Sequence, residues 1–413
     1  MMKKLFCHSL LCLLTALLPA IAQAQIQDEV FQRPYLLSAG DRQCLRLNID
    51  NLNFFQNNEF KGNVDKGYTL PGLWLQPRVS YQPLANLRLE AGVHLLYYSG
   101  AKHYPSGGYQ GLPYWQDANE SNGKGLHARP FFRAQLSGFD NKLNLVLGNL
   151  YGGANHRLIE PLYNPELNLS ADPESGLQVL FNLPCFDLDA WIDWQNFIFR
   201  QDNQQEQFTL ALSSRIKFKD SGWYIPVQLV AQHWGGEIQQ GQYHGISSLL
   251  DAATGIGYNR TLNRPILKRF WANAHILCYK QLSGSHMPFE NGYGLHATAG
   301  ASLKGFCLQG GYLYANKFIT LLGSPYFGTI SADTENTLYP QSQMVYEKAE
   351  YTHSFGNVCS VGINVTLYHR LSGQGTDASG QTFTTRTSTS VLAGIYLRTS
   401  FSVLLARLSG KQQ

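Results

Sequence analysis

The chain has 413 residues, of which 44% are hydrophobic and 15% charged, and its formal net charge at pH 7 is +4. Because positive and negative side chains nearly cancel, the sequence lacks the strongly basic surface that binds nucleic acid, and we expect no nucleic-acid partner. After its first apolar segment, it also has no apolar run near the ~18 residues that a membrane-spanning helix requires.

The N-terminus has the three parts of a secretory signal peptide. A basic Met-Met-Lys-Lys start is followed by an apolar run over residues 5–21 and by Ala22-Gln23-Ala24, a small-residue cleavage site. We therefore expect a signal peptide at residues 1–24, cleaved during passage through the inner membrane. The mature part, residues 25–413, has no linker that divides it and is predicted to be one domain.

The cysteines of the mature part indicate neither a metal site nor a disulfide scaffold. They are odd in number, far apart and without a C-x-x-C pair: Cys44, Cys185, Cys278, Cys307 and Cys359. We expect them to be small apolar strand residues, and we expect no metal and no cofactor.

From about Cys44 onward, apolar residues alternate with other residues, and this period of two predicts β-strands. The clearest runs cover residues 87–97, 128–136, 188–194, 208–212, 225–231, 293–303, 361–367 and 391–397. With their flanking residues, most are longer than the five or six residues of a typical globular strand. Tilted strands of about 9–11 residues are what crossing a bilayer requires.

The connections between these strands alternate in length. Short ones at 83–86, 138–142, 184–187, 219–222, 304–305 and 355–357 separate long ones at 56–67, 99–124, 153–175, 200–207, 316–341 and 372–387. Short periplasmic turns and long extracellular loops are typical of outer-membrane barrels. The alternation requires one further strand, which the weak pattern at 246–258 can supply. We therefore predict an all-β fold, a transmembrane antiparallel barrel of about sixteen strands.

The long connection at 153–175 is predicted to be an ordered loop that folds into the barrel. Connections of this length without secondary structure are usually functional or disordered. Its prolines and its apolar residues, such as Leu158, Ile159 and Leu162, argue against disorder.

Side-chain parity places a set of charges inside the barrel. If the apolar set faces lipid, the alternate residues face the lumen. This gives a basic wall patch opposite acidic wall and loop residues, and we expect these charges to line a constriction that selects solutes. The predicted pore-lining residues are Arg78, Arg88, Arg129, Arg133, Arg157, Glu160, Glu166, Asp172, Asp189 and Asp193.

The whole pattern, from signal peptide to alternating loops, resembles Gram-negative outer-membrane porins. The resemblance implies that the third long loop, after the fifth strand, narrows the channel, and residues 153–175 occupy that place. It also implies an outer-membrane location, contact with membrane lipid and the possibility of a homotrimer. The sequence departs from the family at its end, S-V-L-L-A-R-L-S-G-K-Q-Q, which lacks the usual terminal aromatic residue although Phe401 lies close by.

The sequence hypothesis is thus a porin-like channel for passive diffusion of small hydrophilic solutes, and not an enzyme. No G-x-S-x-G, H-E-x-x-H or phosphate-binding glycine motif is present. His156, Glu160 and Ser170 could be drawn as a nucleophilic constellation, but only geometry identifies such a triad.

Two alternatives remain open. One is an outer-membrane enzyme that modifies lipid or lipopolysaccharide, with Ser, His and acidic residues at the outer rim facing lipid. The other is a non-conducting barrel for surface assembly or adhesion. A lumen packed with side chains would favour either alternative over the channel.

Overall fold

The computed structural model describes residues 31–99, 126–197, 205–219, 221–235, 245–262, 264–284 and 287–408. The predicted signal peptide and most of the loop expected at 99–124 lie outside these ranges. In the described part of the chain, no helix is long and apolar enough to cross a membrane.

The described residues form eighteen strands in chain order. They are β1 (Cys44–Glu59), β2 (Tyr68–Leu84), β3 (Leu87–Tyr98), β4 (His127–Gly138), β5 (Leu143–Asn149), β6 (Ser175–Asn182), β7 (Phe186–Asn196), β8 (Glu206–Lys217), β9 (Trp223–Gly235), β10 (Ser247–Thr261), β11 (Leu267–Ser283), β12 (Asn291–Leu303), β13 (Phe306–Asn316), β14 (Gln341–Phe355), β15 (Cys359–Arg370), β16 (Gly373–Thr376), β17 (Thr382–Thr385) and β18 (Ser388–Arg407).

All of these strands except the separate hairpin β16–β17 join one closed antiparallel barrel. β18 pairs with β1 over the length of both strands and closes the ring. The sixteen-stranded transmembrane barrel predicted from the sequence is confirmed. The strand inferred at 246–258 is also confirmed, as β10, which pairs with β9 and β11.

The outward face of the barrel is apolar because it is the face that lipid covers. Leucine and isoleucine side chains such as Leu147, Leu210, Ile276 and Ile395 are about half exposed or more on this face. Following the topology of outer-membrane barrels, the end with the short turns is the periplasmic end and the end with the long loops is the outer rim.

Among the described residues, three long segments lie inside the barrel. Residues 31–43 enter at the periplasmic end, residues 150–174 fold in between β5 and β6, and residues 317–340 fold in between β13 and β14. Phe318, Ile319 and Phe327 of the third segment are fully buried, and they form one apolar cluster with Leu162 of the second segment and with wall residues. The described lumen is therefore packed with side chains at the level of this cluster.

Glycines at both ends of the second segment allow it to turn inward. Gly148, near the end of β5, has φ +92°, and a Cβ there would lie 2.3 Å from the carbonyl oxygen of Phe132. Gly176, near the start of β6, would bring a Cβ to 2.1 Å from the carbonyl oxygen of Ile192. No other residue fits such contacts without moving the neighbouring strand.

Candidate functional site

Three of the predicted wall arginines lie together inside the barrel. Arg78 contacts Asp50 at 2.7 Å and Glu90 at 3.0 Å, and Arg133 contacts Glu90 at 3.1 Å. Arg88 donates hydrogen bonds to the neutral groups of Gln135 and Tyr151. The carboxylates that pair with these arginines, Asp50 of β1 and Glu90 of β3, were not in the predicted pore-lining set.

The predicted loop residues pair with different parts of the wall. Asp172 contacts His127 at 2.6 Å and Arg129 at 2.9 Å, while Arg157 lies 3.7 Å from Asp187. Glu160 forms an ion pair with Lys348 of β14. Glu166 accepts hydrogen bonds from three residues of β1 and β2, which are Gln56, Asn58 and Tyr68. These contacts anchor the loop to several strands around the ring.

His156 is the centre of a buried polar cluster of this loop. It is 1% exposed and stacks on Trp191 with ring centroids 3.4 Å apart. Its Nδ1 lies 2.8 Å from Asp189, and its Nε2 lies 2.6 Å from Glu174. The remaining predicted residue, Asp193, accepts a hydrogen bond from the backbone of Ser175 at 2.8 Å.

The structure does not assemble the constellation of His156, Glu160 and Ser170 that the sequence allowed. Glu160 is held by Lys348, and the Ser170 hydroxyl donates to the carbonyl of Glu166 at 3.0 Å. Both nitrogens of His156 contact carboxylates, so neither is left to activate a hydroxyl group of the described residues. It acts as a brace between the loop and β7.

We expect this brace to make stability depend on alkaline pH. Burial by itself would lower the pKa of His156, but the Glu174 and Asp189 carboxylates outweigh it and raise the pKa to about 10. Because the unfolded value is about 6.5, the stabilisation is fully present below that pH and is lost as pH rises through about 10. The His156→Gln variant should lose about 3–5 kcal/mol at pH 6, since it leaves buried carboxylates without their cation.

Urea unfolding in detergent micelles, followed by tryptophan fluorescence between pH 6 and pH 11, measures this effect. His353→Gln is the matched control, because His353 contacts Phe355 edge to face and pairs with no carboxylate among the described residues. If the free energy of unfolding of His156→Gln falls between pH 6 and pH 11 as steeply as that of the wild type, His156 is not the source of the alkaline pH dependence.

Another histidine, His369, lies on the outer, lipid-facing surface of the barrel wall. Along β15, Val361, Ile363, Val365 and Leu367 point outward, and His369 continues this series one residue before the strand ends at the outer rim. Its Nδ1 lies 3.0 Å from the Thr389 hydroxyl on β18, and its Nε2 lies 3.3 Å from the Glu347 carboxylate on β14.

Strand register holds this lipid-facing triad together. His369 is directly opposite Thr389 on one side and Val345 on the other, so that Glu347 is its diagonal neighbour on β14. The His369 side chain is 32% exposed and that of Glu347 is 60% exposed. Unlike His156, the triad is therefore open to molecules that approach the outer surface.

Further polar groups lie on the same outward face near the rim. Tyr312 donates a hydrogen bond to Gln343 Oε1 at 3.1 Å, and this contact orients the amide two residues before Val345. On the other side of β18, Asn57 accepts a hydrogen bond from Thr69 at 2.7 Å and donates to Glu59 at 3.1 Å. The triad thus lies in a polar band at the upper edge of an apolar wall.

A hydroxyl, an imidazole and a carboxylate in this order can perform nucleophilic acyl transfer. A neutral His369 with its proton on Nε2 donates to Glu347, and its Nδ1 can accept the proton of Thr389. This is the relay of nucleophile, base and orienting acid that is recognised by geometry rather than by position in the sequence.

Another outward-facing pair lacks the acid. His233 Nδ1 lies 2.9 Å from the Ser248 hydroxyl, and the His233 ring stacks on Phe208. Within the described ranges, no carboxylate pairs with His233. This pair serves as an internal comparison for the triad.

The sequence analysis did not single out Glu347, His369 or Thr389. One signal was available: His369 continues the lipid-facing parity of residues 361–367, and a titratable side chain on that face is unusual. Among the described residues, no cluster of His, Cys, Asp and Glu has the composition of a metal site.

A family model described as "Lipid A 3'-O-deacylase-type" matches residues 37–408 of the chain. No curated protein matches the sequence.

Several solved structures resemble the barrel. OccK8 (OprE) of Pseudomonas aeruginosa has a TM-score of 0.46 and 11% sequence identity, covering 88% of this chain and 100% of its own. OccAB3 of Acinetobacter baumannii has a TM-score of 0.47 and 10% identity, covering 87% and 99%. OmpT, an outer membrane protein of Vibrio cholerae, has a TM-score of 0.44 and 11% identity, covering 86% and 97%. At these values the resemblance says nothing about what the chain does.

Proposed function

The chain belongs to the Lipid A 3'-O-deacylase-type family, and we propose that it is an outer-membrane hydrolase that removes an ester-linked acyl chain from lipid A. The expectation that the protein is not an enzyme is wrong, because the matching family is one of enzymes. The resemblance to porins extends to the barrel architecture, whereas the family that matches is not a porin family. The first alternative from the sequence, a lipid-modifying enzyme of the outer membrane, is therefore our main functional hypothesis.

One observation carries the assignment of the site: the contacts of His369 with Thr389 and Glu347 on the lipid-facing surface at the outer rim. Lipid A anchors lipopolysaccharide in the outer leaflet, so its acyl esters lie at the boundary between headgroup and hydrocarbon. The polar band around His369 is at the matching edge of the apolar wall. The lumen contributes nothing to this chemistry, which is consistent with its packed interior.

The proposed reaction starts with proton transfer from the Thr389 hydroxyl to Nδ1 of His369. The Thr389 oxygen attacks the ester carbonyl carbon and forms a tetrahedral intermediate, while Glu347 stabilises the imidazolium through Nε2. The intermediate collapses when the bond to the sugar oxygen breaks and His369 returns its proton to that oxygen. The acyl chain is then held as an ester of Thr389.

Water completes the cycle. His369, neutral again, takes a proton from a water molecule that attacks the acyl-Thr389 carbonyl. Collapse of the second intermediate returns the proton to Thr389 and releases a free fatty acid. The amide of Gln343, oriented by Tyr312, is on the same face and is our candidate donor to the developing oxyanion.

The test is incubation of the purified, folded protein with lipid A in mixed micelles, followed by mass spectrometry. We expect lipid A to lose one ester-linked acyl chain and the corresponding free fatty acid to appear. Phospholipid in a parallel reaction tests the substrate class. Unchanged lipid A in the presence of folded protein, or release from phospholipid alone, would refute the proposal.

A further inference from the structure

A cavity of about 480 Å³ lies inside the barrel at the periplasmic end, far from the lipid-facing triad. Asp41, Asn357 and Ser402, near the starts and ends of strands at this rim, form its outer part. Its walls carry six arginines: Arg33, Arg46, Arg78, Arg88, Arg133 and Arg398.

Three carboxylates of the described part of the chain line the same cavity, and each already pairs with an arginine. Asp41 contacts Arg46 at 2.8 Å, Asp50 contacts Arg78 at 2.7 Å, and Glu90 lies between Arg78 and Arg133. The lining therefore has three more positive than negative charges. Excess charge of one sign in an enclosed site with low-dielectric walls raises the local concentration of the opposite ion.

Arg88 contributes to the excess positive charge because it hydrogen-bonds only to neutral groups in the described part of the chain. Its Nη2 donates to Gln135 at 2.8 Å and to the Tyr151 hydroxyl, both of which are neutral. Its Nε is buried and has no hydrogen-bond partner among the described residues. A buried donor atom without a partner on a partly buried cation costs free energy unless a ligand or ion accepts its hydrogen bond.

Arg33, in the segment before β1, lies in the same excess of positive charge. Burial lowers the pKa of Arg33 to about 10, and the positive charges of Arg398, Arg78 and Arg133 oppose the attraction of Asp50. Arg33 remains charged at neutral pH, so the electrostatic cost persists in the folded protein. A bound anion would reduce this cost.

We propose that this cavity is a binding site for a small, multiply charged oxyanion, such as phosphate or a polycarboxylate, that enters from the periplasm. The planar guanidinium group presents paired N–H donors that match carboxylate and phosphate oxygens, which a chloride ion cannot use. The site is independent of the proposed deacylation, because it lies at the other end of the barrel and shares no residue with the triad.

Isothermal titration calorimetry tests the site with the full mature protein in nonionic detergent and a buffer free of phosphate. The probes are inorganic phosphate, citrate, chloride and glucose. We expect phosphate or citrate to bind with one site per chain, and chloride to bind at least about tenfold more weakly because it cannot accept paired hydrogen bonds. The relative affinity for phosphate and citrate distinguishes a tetrahedral from a carboxylate ligand.

Arg88→Gln should weaken this binding about tenfold, since a hydrogen bond to a charged group is lost, and Arg88→Lys should be intermediate. Arg129→Gln is the matched control, because Arg129 points to the same interior but pairs with Asp172 outside the cavity. Heat-modifiable migration on gels establishes that each variant is folded. If wild-type protein does not prefer oxyanions to chloride, or if both glutamine variants bind equally, the proposal is refuted. Neither result affects the deacylation assay.

Discussion

Replacing His369 by alanine should lower kcat/KM for lipid A deacylation by about 1,000-fold or more while the barrel remains folded. In the proposed reaction His369 is the general base of both half-reactions, and loss of such a group from a nucleophile–base–acid unit has effects of this size. Thr389→Ala should have a comparable effect, whereas Thr389→Ser retains a hydroxyl and should keep most of the activity. Glu347→Gln should cost about 100-fold, because it removes the charge that stabilises the imidazolium.

His233→Gln is the matched control for this series. His233 also faces outward and also contacts a hydroxyl group, that of Ser248, but no described carboxylate pairs with it. Its replacement should change kcat/KM less than about twofold. Full activity in His369→Ala would exclude the triad as the site, and a large loss in His233→Gln would transfer the chemistry to the other side of the barrel.

The second large effect concerns conductance. The wild-type protein should give no discrete current steps in a planar bilayer, because Phe318, Ile319 and Phe327 form a buried cluster across the lumen together with Leu162. Replacing residues 318–339 by a short glycine–serine linker should produce discrete steps. The physical reason is that it removes the largest apolar part of this cluster and leaves polar wall residues facing water.

Deletion of the β16–β17 hairpin is the control for this experiment. The hairpin lies over the third segment, where Thr376 pairs with Leu338 and Phe383 packs on Tyr339. Its removal leaves both inward-folded loops in place and should leave the bilayer silent. Porin-like steps from the wild-type protein would show that the lumen is open.

Local sequence patterns were enough to predict the barrel, because each spanning strand has one face toward lipid and one toward the interior. That environment alternates residue by residue and is visible without any tertiary contact. The alternation of loop lengths even located β10, whose own pattern is weak. The same parity identified Arg78, Arg88 and Arg133 as inward-facing.

The partners of these charges could not be predicted in the same way. Which carboxylate meets Arg78 depends on the register between β1, β2 and β3, and a shift of one residue would exchange the faces. The third interior segment had a signal, the apolar residues from Phe318 to Leu322 in a loop that a channel would keep polar. Apolar residues in a long loop do not by themselves show that the loop folds into the barrel.

The sequence by itself determined that the chain is a membrane barrel, since periodicity is a local property of each strand. It also made His369 an outward-facing residue. Only the tertiary structure decided that His369 meets Thr389 and Glu347, which are 20 and 22 residues away along the chain. Their meeting results from the pairing of β15 with β14 on one side and with β18 on the other, with the hairpin β16–β17 looped out between β15 and β18. The register of these strand pairs depends on contacts between separate segments, and a shift of one residue would move the side chains apart, so no single stretch of sequence contains it.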